Sequence, residues 1–210
     1  MKRDAWLMFA LSLLLQVVGV LLVAGTAHAQ TVSGDGLGSA LRHGGYVIVM
    51  RHASSPREVP DKHTANADNA HHERQLDPNG HTTAMAMGKA LRDLKIPVGD
   101  VFTSPAYRAI ETVRLAQLAT ARPQVELGDG GQSMQGVAPS QAAWLQKKVT
   151  QFPSVTNTIL VTHQPNMAGA FPELTAGLAD GEALIFGSDA KGGAALVARV
   201  TIEEWPGMRH

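Results

Sequence analysis

Five apolar or aromatic residues run without a break from Tyr46 to Met50, and Arg51 and His52 follow at once. An uninterrupted run of this length, rich in β-branched side chains, predicts a strand buried on both faces. A second run, Thr158 to Thr162, ends the same way, on His163. Between the two the pattern changes to helical spacing. Asp77-Pro78 offers an N-cap and a first-turn proline, and Ala84, Met87, Gly88, Leu91 and Leu94 then fall on one face. Asp100 to Thr103 reads as a short strand. Ser104-Pro105 repeats the cap-then-proline signal and opens a helix whose inward residues are Ala106, Ala109, Ile110, Val113 and Ala116. Arg108 then stands in a first helical turn, where free backbone N–H groups and the macrodipole favour an anion.

The remaining pattern is shorter. Leu37 to Arg42 predicts a small helix, and Gln124 to Leu127 a short strand before the turn Gly128-Asp129-Gly130-Gly131. Ser140 opens a third helix through Trp144, Leu145 and Val149, and two further strands are predicted at Ala183 to Phe186 and Ala194 to Ile202. Ser54 to Gln75 is a long polar segment, of a length that is usually functional or mobile in a compact domain, and it is placed to fold over Arg51 and His52 as a lid. Strands alternating with helices predict a three-layer α/β/α sandwich with a mostly parallel central sheet.

Composition narrows the class. The 210 residues are 44% hydrophobic and 17% charged, which fits one globular domain with an ordinary core. Eighteen basic residues balance eighteen acidic ones, so nothing suggests an electrostatic grip on nucleic acid. The first residues read separately. Lys2 and Arg3 precede an apolar stretch from Ala5 to Val23, and Ala27-His28-Ala29 offers a small-residue cleavage site. This is the layout of a signal peptide over 1–29, with a domain over 30–210 exported to the periplasm or secreted. Contact with a membrane is expected only through that signal. Export permits disulfides, yet the chain has no cysteine, so packing alone must hold the domain.

Taken singly, a histidine after a strand or an arginine at a helix start says little. Here Arg51 with His52, Arg108, and His163 each follow a predicted strand, so one sheet edge brings them together. Two guanidiniums and two imidazoles repel one another unless the site holds an anion. Arginine's rigid fork suits phosphate oxygens, and a neutral imidazole is a competent nucleophile towards phosphorus.

In Met50-Arg51-His52-Ala53, in Thr103-Ser104-Pro105-Ala106-Tyr107-Arg108-Ala109-Ile110-Glu111-Thr112 and in Val161-Thr162-His163-Gln164-Pro165-Asn166, the sequence resembles the histidine phosphatase superfamily, in its phosphoglycerate mutase-like branch. The resemblance implies a phosphomonoesterase, and export by the N-terminal signal narrows its substrate to a small or envelope-sugar phosphate. His52 would take the phosphoryl group, and Arg51, Arg108 and His163 would clamp its oxygens. Relatives in that branch carry an acid some tens of residues after the helix arginine, which points to Asp129, with Glu126 second. Many relatives have glycine where Ala53 stands. The other large branch carries His-Asp where this chain has His163-Gln164, which argues against it. Asn69 and Arg74, with Asn66, are candidate substrate contacts from the polar loop. No cofactor and no metal is expected. The alternative is a phosphate-binding or metal-binding protein on the same fold: His63, His71, His72 and Glu73, with His81 nearby, are acceptable zinc ligand types, although their spacing matches no known site.

Overall fold

The computed structural model describes residues 34–130 and 137–209, so the export segment and Gly131 lie outside the described residues. In chain order the elements are α1 (Gly34–Arg42), β1 (Val47–Arg51), α2 (Pro78–Asp93), β2 (Val98–Thr103), α3 (Tyr107–Leu115), β3 (Ala121–Pro123), α4 (Pro139–Lys148), β4 (Asn157–Thr162), α5 (Gln164–Ala170), β5 (Ala183–Ser188) and β6 (Ala194–Val200). The six strands form one sheet in the order β3-β2-β4-β1-β5-β6. Strands β1 to β4 pair in parallel, and β5 alone runs against both of its neighbours.

Period-two alternation divides the core, because successive side chains of a strand point to opposite faces. Ile48 and Met50 of β1, with Ile159 and Val161 of β4, pack beneath Leu37, Leu41, Ala84, Met87, Leu91 and Val113 of α1, α2 and α3. Val47, Val49 and Leu160 face the other way, against Leu145, Val149 and Met167 from α4 and α5 and their ends. Both sides of the sheet are therefore covered, and the three layers predicted from the alternating pattern are present.

Helix starts follow local chemistry. The Asp77 carboxylate accepts a hydrogen bond from Gly80 N at 2.7 Å and Pro78 takes the first turn. All five residues expected on the inner face of α2 are buried. Gly88 faces the end of α3, where an added Cβ would lie 1.9 Å from the carbonyl oxygen of Ala116. The two helices meet this closely only because that position has no side chain.

Four local expectations are corrected. Helix α3 begins at Tyr107 with Ala106 as its cap, not at Ser104; the Ser104 hydroxyl accepts from Ala106 N at 3.1 Å and is otherwise occupied by His163. Ile110 points outward, 37% exposed, while Arg108, Glu111 and Thr112 are buried on the face it was expected to share. The segment Val125–Leu127 is a 3-10 turn, and the strand before it ends at Pro123, with one further bond from Gln124 N to Thr103 O at 2.8 Å. Helix α4 starts at Pro139, and the Gln141 side chain, rather than Ser140, accepts from the cap nitrogen of Ala138 at 2.9 Å.

The polar segment between β1 and α2 is tied down along its length. Asn66 Nδ2 donates to Glu111 Oε1 at 2.7 Å, Leu76 N donates to Glu111 Oε2 at 2.8 Å, and Tyr107 N donates to Glu73 Oε2 at 3.0 Å. Tyr107 OH donates to Asp68. It is an ordered wall beside α3.

Candidate active site

Parallel pairing brings the chemistry together. Arg51 ends β1 opposite Thr162, the last residue of β4, and Thr103 ends β2 opposite Val161. The ladders continue one step beyond the strands: His52 N donates to Thr162 O at 3.0 Å, and Ser104 N donates to Val161 O at 2.8 Å. Three neighbouring carboxyl ends thus present His52, His163 and Ser104 along one edge, where ligands bind in open α/β sheets. Arg108 reaches the same place from the first turn of α3.

Arg108 is the hub. Its Nε donates to His52 Nε2 at 3.1 Å, and its Nη2 lies 2.5 Å from Asp129 Oδ2 and 3.0 Å from His163 Nδ1. These partners fix both imidazole tautomers. His52 Nδ1 sits 2.8 Å from the carbonyl oxygen of Ala53, which can only accept, so Nδ1 carries the hydrogen and Nε2 keeps its lone pair. His163 Nδ1 faces a guanidinium, which can only donate, so its hydrogen is on Nε2, donated to Ser104 Oγ at 2.7 Å. The rings lie 5.3 Å apart, edge to face.

Burial comes first among the causes that hold both rings neutral. His52 lies well below its ordinary value near 6.5 because it is desolvated, with His163 and Arg108 adding to the effect. His163 is lowered by burial and then by Arg108, Arg74 and Arg51. An unprotonated ring nitrogen beside three guanidiniums is a nucleophile suited to an anionic electrophile.

The edge opens into a cleft of about 420 Å³, lined by Arg51, His52, Arg74, Asp129 and His163 together with Arg57 and Asp180. Arg51 is less enclosed than Arg108: its Nη1 donates to Leu178 O at 3.2 Å and its Nη2 lies 2.5 Å from Asp180 Oδ1, with the two side chains 25% and 35% exposed. Its Nε is buried without a hydrogen-bond partner. Arg74 lines the cleft and also holds the loop, donating from Nε to Pro56 O at 2.7 Å.

Other expected residues fall elsewhere. Asn69 does not line the cleft; its Nδ2 donates to Glu73 O at 2.7 Å and its Oδ1 accepts from Glu73 N at 2.9 Å, so its side chain staples the loop instead. Asn66 likewise turns to Glu111 and Tyr107. Glu126 lies in the 3-10 turn, and the cleft is bordered by Asp129. Among the described residues no three histidine or carboxylate side chains gather as a metal site; Glu73 is engaged by Tyr107 N, and His81 pairs with Glu111 at 3.2 Å.

Several contributors escaped the pattern. Thr112 Oγ1 donates to Arg108 O at 2.8 Å and accepts from Ala53 N at 3.1 Å, joining the helix of Arg108 to the strand end that carries His52. Ser104 orients His163. Each sits in a motif whose charged members drew attention, and a buried hydroxyl gives no sequence signal of its own. Asp180 and Arg57 come from segments without periodicity.

Residues 47–130 match the family model of the histidine phosphatase superfamily (branch 1). No curated protein matches the chain. Among solved structures, it is similar to the protein histidine phosphatase SixA complexed with tungstate, with a TM-score of 0.54 and 20% identity over 76% of this chain and 98% of that one. A putative phosphohistidine phosphatase SixA from Agrobacterium tumefaciens follows, with a TM-score of 0.52 and 16% identity over 75% and 98% of the two chains. A putative alpha-ribazole-5'-P phosphatase from Escherichia coli K-12 matches with a TM-score of 0.52 and 14% identity over 75% and 97%. At these identities the likeness speaks for the fold.

Proposed function

We propose that this chain, a member of the histidine phosphatase superfamily, is an exported phosphomonoesterase that works through a phosphohistidine on His52. One observation carries the reading: the His52 tautomer, fixed by Ala53 O and Arg108, leaves a lone pair on Nε2 at the floor of a cleft lined with guanidiniums.

In the proposed reaction the phosphoryl oxygens of the substrate engage Arg51, Arg108 and His163, and Arg108 Nε turns from His52 to one of them. His52 Nε2 then attacks phosphorus while the bond to the leaving oxygen breaks. That oxygen takes a proton from Asp129, which borders the cleft beside Arg108 and receives that proton from the bound phosphate monoanion. Water attacks the phosphohistidine in the second half, giving up a proton to the Asp129 carboxylate and releasing inorganic phosphate. The substrate is a small phosphomonoester or an envelope-sugar phosphate. Export is supported by Lys2, Arg3, the apolar stretch and Ala27-His28-Ala29, and intact mass of the envelope fraction should give a chain beginning at Gln30.

The deciding experiment traps the intermediate. Wild-type protein quenched during turnover of a panel of phosphomonoesters, with p-nitrophenyl phosphate and a phosphohistidine peptide included, should carry acid-labile, base-stable phosphate. The His52→Ala protein should carry none. Equal labelling of the two removes His52 from the mechanism, and binding of phosphate without turnover of any substrate favours a non-catalytic phosphate binder.

A further inference from the structure

Past Gln124 the chain leaves the sheet, and the turn that carries Asp129 is held by side chains instead of a ladder. The carbonyls of Val125, Glu126, Leu127 and Gly128, the four residues before Asp129, each accept from a side-chain donor. Gln141 Nε2, on α4, donates to Gly128 O at 2.8 Å and reaches Val125 O at 3.4 Å. Asn166 Nδ2, on α5, donates to Gly128 O at 3.0 Å and to Glu126 O at 3.3 Å. Thr162 Oγ1, at the end of β4, donates to Leu127 O at 2.7 Å. Gly128 O is thus gripped twice, and it belongs to the peptide unit whose nitrogen is that of Asp129. Because that unit is planar, fixing its oxygen restrains the Cα of Asp129.

The Asn166 amide is committed to this grip. The residue is 2% exposed, and its Oδ1 is buried without a hydrogen-bond partner among the described residues. Turning the amide over would set that oxygen against two carbonyls, which can only accept. The side chain therefore keeps an unmatched acceptor, rare for a buried amide, while its hydrogens go to the turn. Gln141 divides its amide in the same service. Its Oε1 accepts from Ala138 N at 2.9 Å, which leaves Nε2 for the turn. Neither residue lines the cleft, and the phosphoryl chemistry uses neither.

We propose that Asn166 and Gln141 are positioning residues for the general acid: together they hold the peptide before Asp129 so that its carboxylate stands at the cleft. The inference rests on the phosphatase reading above, with Asp129 as the acid, and deepens it. A general acid must lie within hydrogen-bond reach of the oxygen it protonates. A mount built from two amides keeps that reach without a strand beneath it.

The test compares kcat of the full chain on p-nitrophenyl phosphate, whose leaving group needs little protonation, and on glycerol 2-phosphate, whose leaving group needs a proton. Asn166→Ala should slow the glycerol phosphate about tenfold and p-nitrophenyl phosphate less than about twofold, as expected for a displaced acid. Gln141→Glu keeps the acceptor for Ala138 N and removes the donor, and should act in the same direction by about threefold. In an Asp129→Asn background neither change should slow the glycerol phosphate further, because residues acting through one group are not additive. Equal slowing of both substrates by Asn166→Ala would mean that it acts through His163, three positions earlier, and would overturn the inference. A further loss in the Asp129→Asn background overturns it as well. If Asn166→Ala fails to fold, Gln141→Glu, alone and with Asp129→Asn, decides by the same two criteria. Absence of p-nitrophenyl phosphate turnover by wild type would overturn the phosphatase reading and this inference together. Equal slowing of both substrates by Asp129→Asn would overturn the inference and leave the phosphatase reading standing.

Discussion

Arg51 lines the cleft, Arg108 is buried against its two histidines, and the two arginines are held in different ways. Arg108 is 2% exposed and anchored on two imidazoles and a buried carboxylate. Arg51 is a quarter exposed, and its partners, Leu178 O and Asp180, belong to a surface segment. The first is part of the frame that sets both histidine tautomers. The second is tethered to the segment that carries Leu178 and Asp180. Identical side chains are therefore held in an enclosed and in a partly exposed setting, and the partners decide which.

Removing each arginine in turn should expose this difference most strongly. Arg108→Ala should reduce turnover about a hundred- to a thousandfold, the usual cost of one transition-state donor. It should also destabilise the fold by about 3–5 kcal/mol, because the Asp129 carboxylate, 1% exposed, loses the Arg108 guanidinium. A urea midpoint equal to that of wild type would contradict the framing role. Asp129→Asn separates proton transfer from framing, since the amide still accepts from Arg108. Alkyl phosphates should slow by at least about a hundredfold while p-nitrophenyl phosphate is largely spared; equal slowing of both would move the acid to another residue, with Glu126 tested next. Arg51→Ala should impair turnover with less than about 1 kcal/mol change in stability, as expected for a partly exposed ion pair. A stability loss matching that of Arg108→Ala would erase the contrast.

A further effect is on pH dependence. His52 and His163 have folded-state values below the ordinary 6.5. The unfolded chain therefore binds protons near pH 6.5 that the folded chain refuses, and stability rises with pH across this window. Their contribution is complete above about pH 6.5 and is lost as the pH falls from there towards the folded values, by at most about 1.4 kcal/mol per pH unit for each ring. Melting temperatures should drop between pH 7 and pH 5, and less steeply in His163→Gln. The same lowering keeps the His52 lone pair available, so kcat/KM should not fall with a midpoint near 6.5 on the acid side.

The strands that carry the histidines were legible because β1 and β4 are buried on both faces and so read as unbroken apolar runs. Helix α2 was legible from Asp77-Pro78 and from a face with no competing polar task. Helix α3 misled at Ile110 and Glu111. Its inner face serves the site and anchors the loop, so polar groups displaced an isoleucine that periodicity would bury. Ser104 read as a cap because serine before proline normally is one, and only the neighbouring strand end, with His163 on it, reveals its other partner. The loop read as loose from its composition. Its order comes from Glu111 and Tyr107, thirty or more positions away in sequence, a distance that no local window spans.

That loop supplies Ser55, Arg57 and Arg74 to the cleft, yet most of its fastenings grip α3 outside the phosphoryl site. The molecule is thereby divided into a chassis and an exchangeable panel. Changes at Arg57 and its neighbours can alter what the cleft admits while Glu111 and Tyr107 keep the panel seated and the two histidines keep their tautomers. Substrate range can drift across descendants of such a chain without disturbing the chemistry beneath it.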